Sequence, residues 1–446
     1  MAHRIVDENS LKTVADAIRE KAGTSDSLIF PTGFAEAIAG IQAGGGSAVK
    51  KDVNFYDCEG TLLYSYTLEE AQAMTELPKL PERKGLVCQG WNWELSRIKE
   101  LGRAVDVGAM YTTDDGKTRV YITLQEGRTS PMLGLYVRGN VTVDWGDGST
   151  PDVLAAGTRP KAMYTPTHHY KTAGDYVITL DADSSSTYIG TGSASEAVAS
   201  RLLRNSSDDT DPLNCCYNNA ITGIETGKFI YFNVNACSNL TSLSYLVISP
   251  GSNSTNIGKY AFNNCYSLPF VVIPYNTMTI GDYAFNNCCS LESVITHNDP
   301  IITNGNASIG SYAFNGCRSL SSVIVSSAMD NSSYGSQTHM FSDCQSLSTV
   351  VIHDGQIGNS EFYGCRSLTS VTITDTITNI ADNAFYDCCS LRYFDFSKQT
   401  VVPTLAATTA FTGTPADLQF RVPAALYDEW IAATNWSTYA SQIVAV

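Results

Sequence analysis

The sequence predicts a multidomain, mainly β protein with a short N-terminal helical segment, a β-sandwich module and a C-terminal solenoid. Three observations carry this expectation. After residue 235 one phrase recurs seven times: a hydrophobic residue, two small or polar residues, Cys, one variable residue and Ser-Leu, as in Phe262-Asn263-Asn264-Cys265-Tyr266-Ser267-Leu268. Its cysteines are 28, 23, 29, 27, 21 and 23 residues apart, the period of a stacked repeat whose units bury their apolar sides only against one another. Second, residues 105–185 hold short β-branched runs separated by Gly- and Asp-containing turns, the pattern of antiparallel strands. Third, Leu11, Val14, Ala15 and Ile18 share one helical face between Ser10, which suits an N-cap, and Gly23, which suits a stop.

Residues 1–46 form the first unit. A second short helix fits Phe34, Ile38 and Ile41, and helices of this length are marginal alone, so they call for each other or for another chain. Ala43-Gly44-Gly45-Gly46-Ser47 reads as a flexible linker. The N-terminus lacks the apolar run of a secretory signal, and no stretch approaches the ~18 apolar residues of a membrane helix. Residues 47–104 form a small module in which Trp91 and Trp93 could serve as ligand platforms. Packing is the preferred role, because tryptophan is usually well buried.

Residues 105–185 read as the sandwich, with strands at 120–124, 133–137, 141–143 and 176–180. Gly146 and Gly148 allow a tight turn and leave Asp147 to bond its own backbone. Residues 186–446 open with a loop and become the solenoid. Each repeat Leu starts a strand of the form Leu-x-x-Val-x-Ile, as in Leu268/Val271/Ile273 and Leu347/Val350/Ile352, whose last apolar positions alternate with exposed ones. The outward positions are then Ser293, Ser322, Thr349 and Ser370, and beside them Ile295, Ile324, Val351 and Thr372.

The phrase Ile309-Gly310-Ser311-Tyr312-Ala313-Phe314-Asn315-Gly316-Cys317-Arg318-Ser319-Leu320 resembles the BspA-type leucine-rich repeat, as do residues 257–262 and 280–285. The ending Val422-Pro423-Ala424-Ala425-Leu426-Tyr427, with Trp430 and Trp436, is similar to the terminal cap of that family. The resemblance implies a leucine-rich-repeat solenoid and an adhesive role. The Met340-Phe341 and Glu361-Phe362 copies depart from Ala-Phe, and residues 326–338 lengthen one loop. The phrase Val143-Asp144-Trp145-Gly146-Asp147-Gly148-Ser149, with His168-His169-Tyr170 and Gly174-Asp175-Tyr176, resembles the polycystic-kidney-disease-type (PKD-like) sandwich, which implies a spacer or small adhesion domain. Ile5-Val6-Asp7-Glu8, Ala15-Asp16-Ala17-Ile18-Arg19, Val53-Asn54-Phe55-Tyr56-Asp57 and Gly85-Leu86-Val87-Cys88-Gln89-Gly90-Trp91-Asn92-Trp93 resemble segments of tail proteins of phages and prophages of Gram-positive bacteria.

The charge is −16, from 28 basic and 44 acidic residues, with no Lys/Arg run to meet phosphates, which argues against nucleic acid. From residue 215 onward only 7 basic and 15 acidic residues occur in 232, so the repeat surface is Asn-, Ser-, Thr- and Tyr-rich. The repeated cysteines would stack about 4.8 Å apart. That spacing admits a reduced ladder, disulfides or a metal row, and the reduced ladder is preferred because Cys is a small apolar filler and no Cys-x-x-Cys occurs. His297 and His353 fall in one outward column, too far apart to share an ion. His168 and His169 could ligate or act as bases, but the resemblance implies packing at the turn. Asp144/Asp147 and Asp114/Asp115 are explained by turns, and no hydrolase, phosphate-loop or metalloprotease motif appears.

The expectation is therefore a protein with no catalytic residue, cofactor or metal. It would be a phage tail protein whose N-terminus joins other tail or baseplate proteins and whose repeats bind a glycan or protein receptor on the bacterial host. Tyr260, Tyr283 and Tyr312 are the candidate contacts, with packing between coils as their other role. Such a protein would be made in the host cytoplasm without a signal peptide, reside in the virion tail, insert in no membrane and leave room for a homo-oligomer. The alternatives are a bacterial cell-surface adhesin and a tail-associated polysaccharide depolymerase.

Overall fold

The computed structural model describes residues 52–446 apart from 102–103, 138, 156–161, 165, 184–186, 190–202, 206–218, 228–229, 233, 251–254, 275–276, 297–307 and 328–337. The N-terminal helical segment, its linker, His297 and the His353 side chain lie outside the described residues.

The first unit is a four-stranded sheet in the order Leu62–Tyr66, Val53–Tyr56, Val105–Thr113, Leu86–Trp91. Val53, Phe55, Val105, Val107, Trp91 and Trp93 are buried in one cluster, so the tryptophans pack in the core. The Trp91 indole donates to the Pro78 carbonyl at 2.8 Å. The helix Leu68–Ala73 starts at a capping box in which Thr67 and Glu70 satisfy each other's backbone N–H groups. The strand Val105–Thr113 belongs to this sheet, because its first half pairs in parallel with Val53–Tyr56 and its second half antiparallel with Leu86–Trp91. Its expected place was the sandwich, and its strand pairing puts it in the first sheet.

Two sheets then run from the middle of the chain into the repeats. One has the order Tyr245–Val247, Ile221–Glu225, Thr118–Leu124, Gly174–Ala182, Val141–Asp144, Asp152–Leu154. It is antiparallel up to Ile221–Glu225 and turns parallel at Tyr245–Val247. The other passes from Ala162–Tyr164 and Leu135–Val137 to Thr187–Ile189, then in parallel through Ile230–Phe232, Thr255–Ile257, Thr277–Ile280 and Ser308–Ile309. Both sheets cross the expected boundary at 185/186. The physical reason is that a solenoid has an open apolar end and an open sheet edge, and the sandwich strands cover both. One continuous core accordingly runs from Val120 and Trp145 to Trp430 and Trp436.

Each coil places the Phe, Cys and Leu of the repeat inside. Phe262, Phe285, Phe314, Phe341, Phe362 and Phe385 stack face to face with centroids 5.2–5.7 Å apart, and none is more than 1% exposed. The thiols of Cys288, Cys317, Cys344, Cys365 and Cys388 each donate to the repeat-Phe carbonyl of the preceding coil at 3.2–3.3 Å. Every described cysteine is free. Cys therefore fills a slot that admits a small side chain and offers it one acceptor. At the far end, strands Gln419–Val422 and Ile443–Ala445 extend the parallel sheet. Trp430 and Trp436, both fully buried, close over Phe396, Phe411 and Phe420.

The outward face of the repeat strands is not uniformly open. Ser322 and Thr349 are exposed as the alternation predicts. Ile295, expected outside, is 1% exposed. It forms a small buried cluster with Phe270, Val272 and Met110, and Tyr56 packs against that cluster. The first sheet lies across the outer face of the early coils and buries both sides of the strand Phe270–Ile273. A strand pattern cannot reveal a cover supplied by a distant part of the chain.

A stacked-tyrosine ridge as the candidate site

The turn that precedes the repeat Phe holds one residue in the left-handed region: Tyr260, Tyr283, Tyr312, His339, Ser360 and Asn383, with Asn235 in the same place before Cys237, all with φ between 54° and 60°. For a residue with a bulky side chain this conformation is uncommon. Here each such turn is tied to the next coil by backbone bonds, from Tyr260 N–H to the Asp282 carbonyl at 2.9 Å and from Tyr283 N–H to that of Ser311 at 2.9 Å.

The three tyrosines named from the sequence come together in one row. Tyr260 and Tyr283 stack at 4.8 Å and 16°, and Tyr283 and Tyr312 at 4.7 Å and 3°. His339 continues the row from Tyr312 at 4.5 Å and 8°. All four are half-buried. They thus pack between coils while keeping an edge in solvent. His339 was missed by the sequence reading, although aligning Met340-Phe341 with Ala313-Phe314 would have placed it in the tyrosine column. A second stack, Tyr363 on Tyr386 at 5.0 Å and 3°, was also missed. It stands three residues later in the turn, where earlier coils carry Asn.

Polar ladders border the row. Asn286 donates to Asn263 and Asn315 to Asn286, each at 2.7 Å, and Asn264 donates to Asn239 at 2.7 Å. Lys259 pairs with Asp282 at 3.0 Å and lies 5.4 Å from the Tyr260 ring centre. Its ammonium pKa is raised, chiefly by the Asp282 hydrogen bond. The Tyr283 hydroxyl is pushed up, first by burial and then by the flanking tyrosines. Burial lowers the pKa of His339. Charge on this ridge is thus sparse: the Lys259–Asp282 pair, and Asp343 beside His339.

The other candidates form no reactive constellation. His168 bonds Asp147 at 2.8 Å and stacks on Trp145 at 4.9 Å, and Tyr170 donates to the Trp145 carbonyl at 2.8 Å, so this histidine locks the turn. Asp147 is held well below the usual carboxylate range by hydrogen bonds from Ser149 and then His168. His169 meets Ser130 at 2.7 Å. Asp115 binds Arg119 in a two-pronged ion pair. Burial holds the repeat thiols in the protonated form. Among the described residues no group of three or more His, Cys, Asp or Glu could hold a metal ion. A shallow concavity of ≈ 430 Å³ on the six-stranded sheet is lined by Tyr121, Thr123, Asp175 and Tyr176. Its Asp175 is already bonded by the Thr123 hydroxyl at 2.7 Å.

Fold and ridge together define a leucine-rich-repeat solenoid with a sandwich at one end and an aromatic cap at the other. The family described as BspA type leucine rich repeat region matches this chain in six copies, over residues 230–355 and 297–406. This part of the chain is a BspA-type leucine-rich repeat domain. Among solved structures, a leucine-rich repeat protein from Bacteroides ovatus is 18% identical with a TM-score of 0.31, covering 50% of this chain and 66% of that one. The T. pallidum leucine rich repeat protein is 21% identical with a TM-score of 0.29, covering 38% of this chain and 83% of that one. A leucine rich cell surface protein from Faecalibacterium prausnitzii is 19% identical with a TM-score of 0.24, covering 45% and 69%. No curated protein matches the chain.

Proposed function

We propose that this protein is a non-catalytic adhesin of a bacterial cell surface, which holds its ligand on the turn ridge of the repeat domain. The observation that supports this reading most directly is the half-buried row Tyr260, Tyr283, Tyr312 and His339, a regular neutral surface. On the strand face of the Tyr260 and Tyr283 coils the chain covers itself, at Val272 and Ile295. Tyrosine suits such a role because it offers a rigid apolar body and a hydroxyl at low entropic cost. The sandwich then acts as spacer and cap. No step of bond breaking enters this reading.

A second reading, a phage tail protein that binds a host bacterium, is favoured by the tail-like phrases at Ile5-Val6-Asp7-Glu8 and Ala15-Asp16-Ala17-Ile18-Arg19. In that case residues 1–46 attach to other tail or baseplate proteins. Immunogold labelling of a producing culture separates the two: gold on the cell envelope supports the adhesin, and gold on phage particles supports the tail protein. Fluorescent full-length chain added to bacterial and animal cells tests adhesion itself. Absence of binding to all of them would overturn the adhesive reading, and release of soluble sugar from the cells would replace it with a depolymerase.

A further inference from the structure

We infer that the ridge takes a neutral, linear polysaccharide laid along the solenoid axis, one sugar ring to a coil. The inference rests on the adhesive reading and names its ligand. Four features of the ridge lead to it.

First, the ring faces of Tyr283 and Tyr312 are consumed by stacking on their neighbours, at 4.7–4.8 Å along the tyrosine row and 4.5 Å to His339. A ligand reaches their edges and hydroxyls, so recognition falls to hydrogen bonds rather than to stacking on an aromatic platform. Second, no hydrogen bond joins the hydroxyls of Tyr260, Tyr283 and Tyr312 to another described residue, whereas the Asn ladders beside them are bonded internally. The tyrosine hydroxyls are the free donors and acceptors of this surface, and a polyol is the ligand that meets each of them with both roles.

Third, the step between hydroxyl-bearing rings is the thickness of one coil. An extended polypeptide presents like-facing side chains every two residues, about 6.4–6.8 Å, and falls out of step within a few coils. A β-linked hexose polymer advances by about one ring per coil, so each tyrosine hydroxyl meets one sugar, with alternate sugars turned over. Fourth, along the three tyrosines Lys259 and Asp282 neutralise each other at 3.0 Å, and the further charge beside the row, Asp343 next to His339, is negative and repels an anionic polymer. The net charge of −16 on the whole chain disfavours an anionic one.

The test uses the fluorescent full-length chain on bacterial and animal cells that bind it, comparing untreated cells with cells oxidised by periodate and cells digested with protease. A triple variant, Tyr260→Phe, Tyr283→Phe and Tyr312→Phe, keeps the stacked rings and removes the hydroxyls. Its melting temperature should match the parent's, which separates lost contacts from lost fold. Expected are binding that survives protease, disappears after periodate, and weakens roughly tenfold or more in the triple variant. Binding that survives periodate and is stripped by protease would assign a protein ligand and overturn the inference while leaving the adhesive reading in place. Periodate-sensitive binding unchanged by the triple variant would also overturn it, by placing the glycan elsewhere on the chain. Binding to no cell type would remove the adhesive reading and this inference with it.

Discussion

Gly108 in the first sheet lies so close to Val272 of the repeat domain that a β-carbon on the glycine would sit 2.8 Å from the valine Cγ1, and 3.1 Å from Cγ2 of Ile295. The backbone of Val105–Thr113 approaches the solenoid there because one residue has no side chain. Gly60 makes a similar approach to the Phe270 ring. The first module and the early coils are thus fitted to each other, and Phe270, Val272 and Ile295 are buried on what would otherwise be an outer face.

Gly108→Ala should therefore loosen the joint without damage to either part, at about 1–3 kcal/mol for overpacking. Val272→Ala in the same chain should recover part of that loss by making room. Urea unfolding of the two single variants and the double variant measures the coupling. Additive effects would mean that the two residues do not touch.

The repeat cysteines should be inert in the native protein and reactive once it unfolds. Cys288, Cys317 and Cys344 are fully buried, protonated and bonded to a carbonyl of the preceding coil. Cys88 and Cys389 are exposed. Brief treatment with iodoacetamide, followed by peptide mass spectrometry, should find Cys88 and Cys389 labelled and the three buried thiols unlabelled until denaturant is added. Native labelling at Cys317, or a disulfide mass that shifts with reductant among these positions, would overturn the ladder of reduced thiols.

Glu361 should make the repeat domain less stable as pH rises. It occupies the inward slot that holds Ala313 or Ala384 in other coils, and burial pushes its carboxyl up from 4.5 to about 7 against the Gly358 N–H bond that favours ionisation. Below about pH 4.5 both folded and unfolded chains hold the proton, and the site costs nothing. Between that value and pH 7 the unfolded chain ionises first, so stability falls, and above pH 7 the loss is complete. The loss is on the order of 1–3 kcal/mol. Glu361→Gln should flatten the pH dependence and melt higher than the parent at pH 8. Parallel melting curves for the two proteins from pH 5 to pH 8 would remove the carboxyl as the cause.

The repeat core was legible because Phe, Cys and Leu return to the same coil position in six coils, so six weak signals reinforce one another. The tyrosine column was legible on the same basis, and His339 escaped only because its coil replaces Ala with Met. Ile295 was illegible: its alternation places it outside, and Met110, which buries it, belongs to another module. The joining of sandwich and solenoid was hidden for a similar reason. Ile221–Glu225 pairs with Thr118–Leu124 on one side and Tyr245–Val247 on the other, and no local pattern records which partner a strand edge will find.

The two tryptophans of the terminal cap should differ in what their indole N–H contributes. Both are fully buried, and both pack on Phe396. Trp436 donates to the Pro403 carbonyl at 2.8 Å, whereas the Trp430 nitrogen is buried with no acceptor among the described residues. Trp436→Phe leaves that carbonyl short of a donor and loses ring area, while Trp430→Phe loses area but also removes an unsatisfied polar group. Trp436→Phe should then cost about 1 kcal/mol more than Trp430→Phe. Alanine at either position should cost about 3–5 kcal/mol and expose the last coil's aromatic end. Urea melts of the four variants, with light scattering for aggregation, measure both effects. Equal losses for the two phenylalanine variants would remove the hydrogen bond from the account, and alanine variants that stay soluble and melt as the parent does would remove the cap.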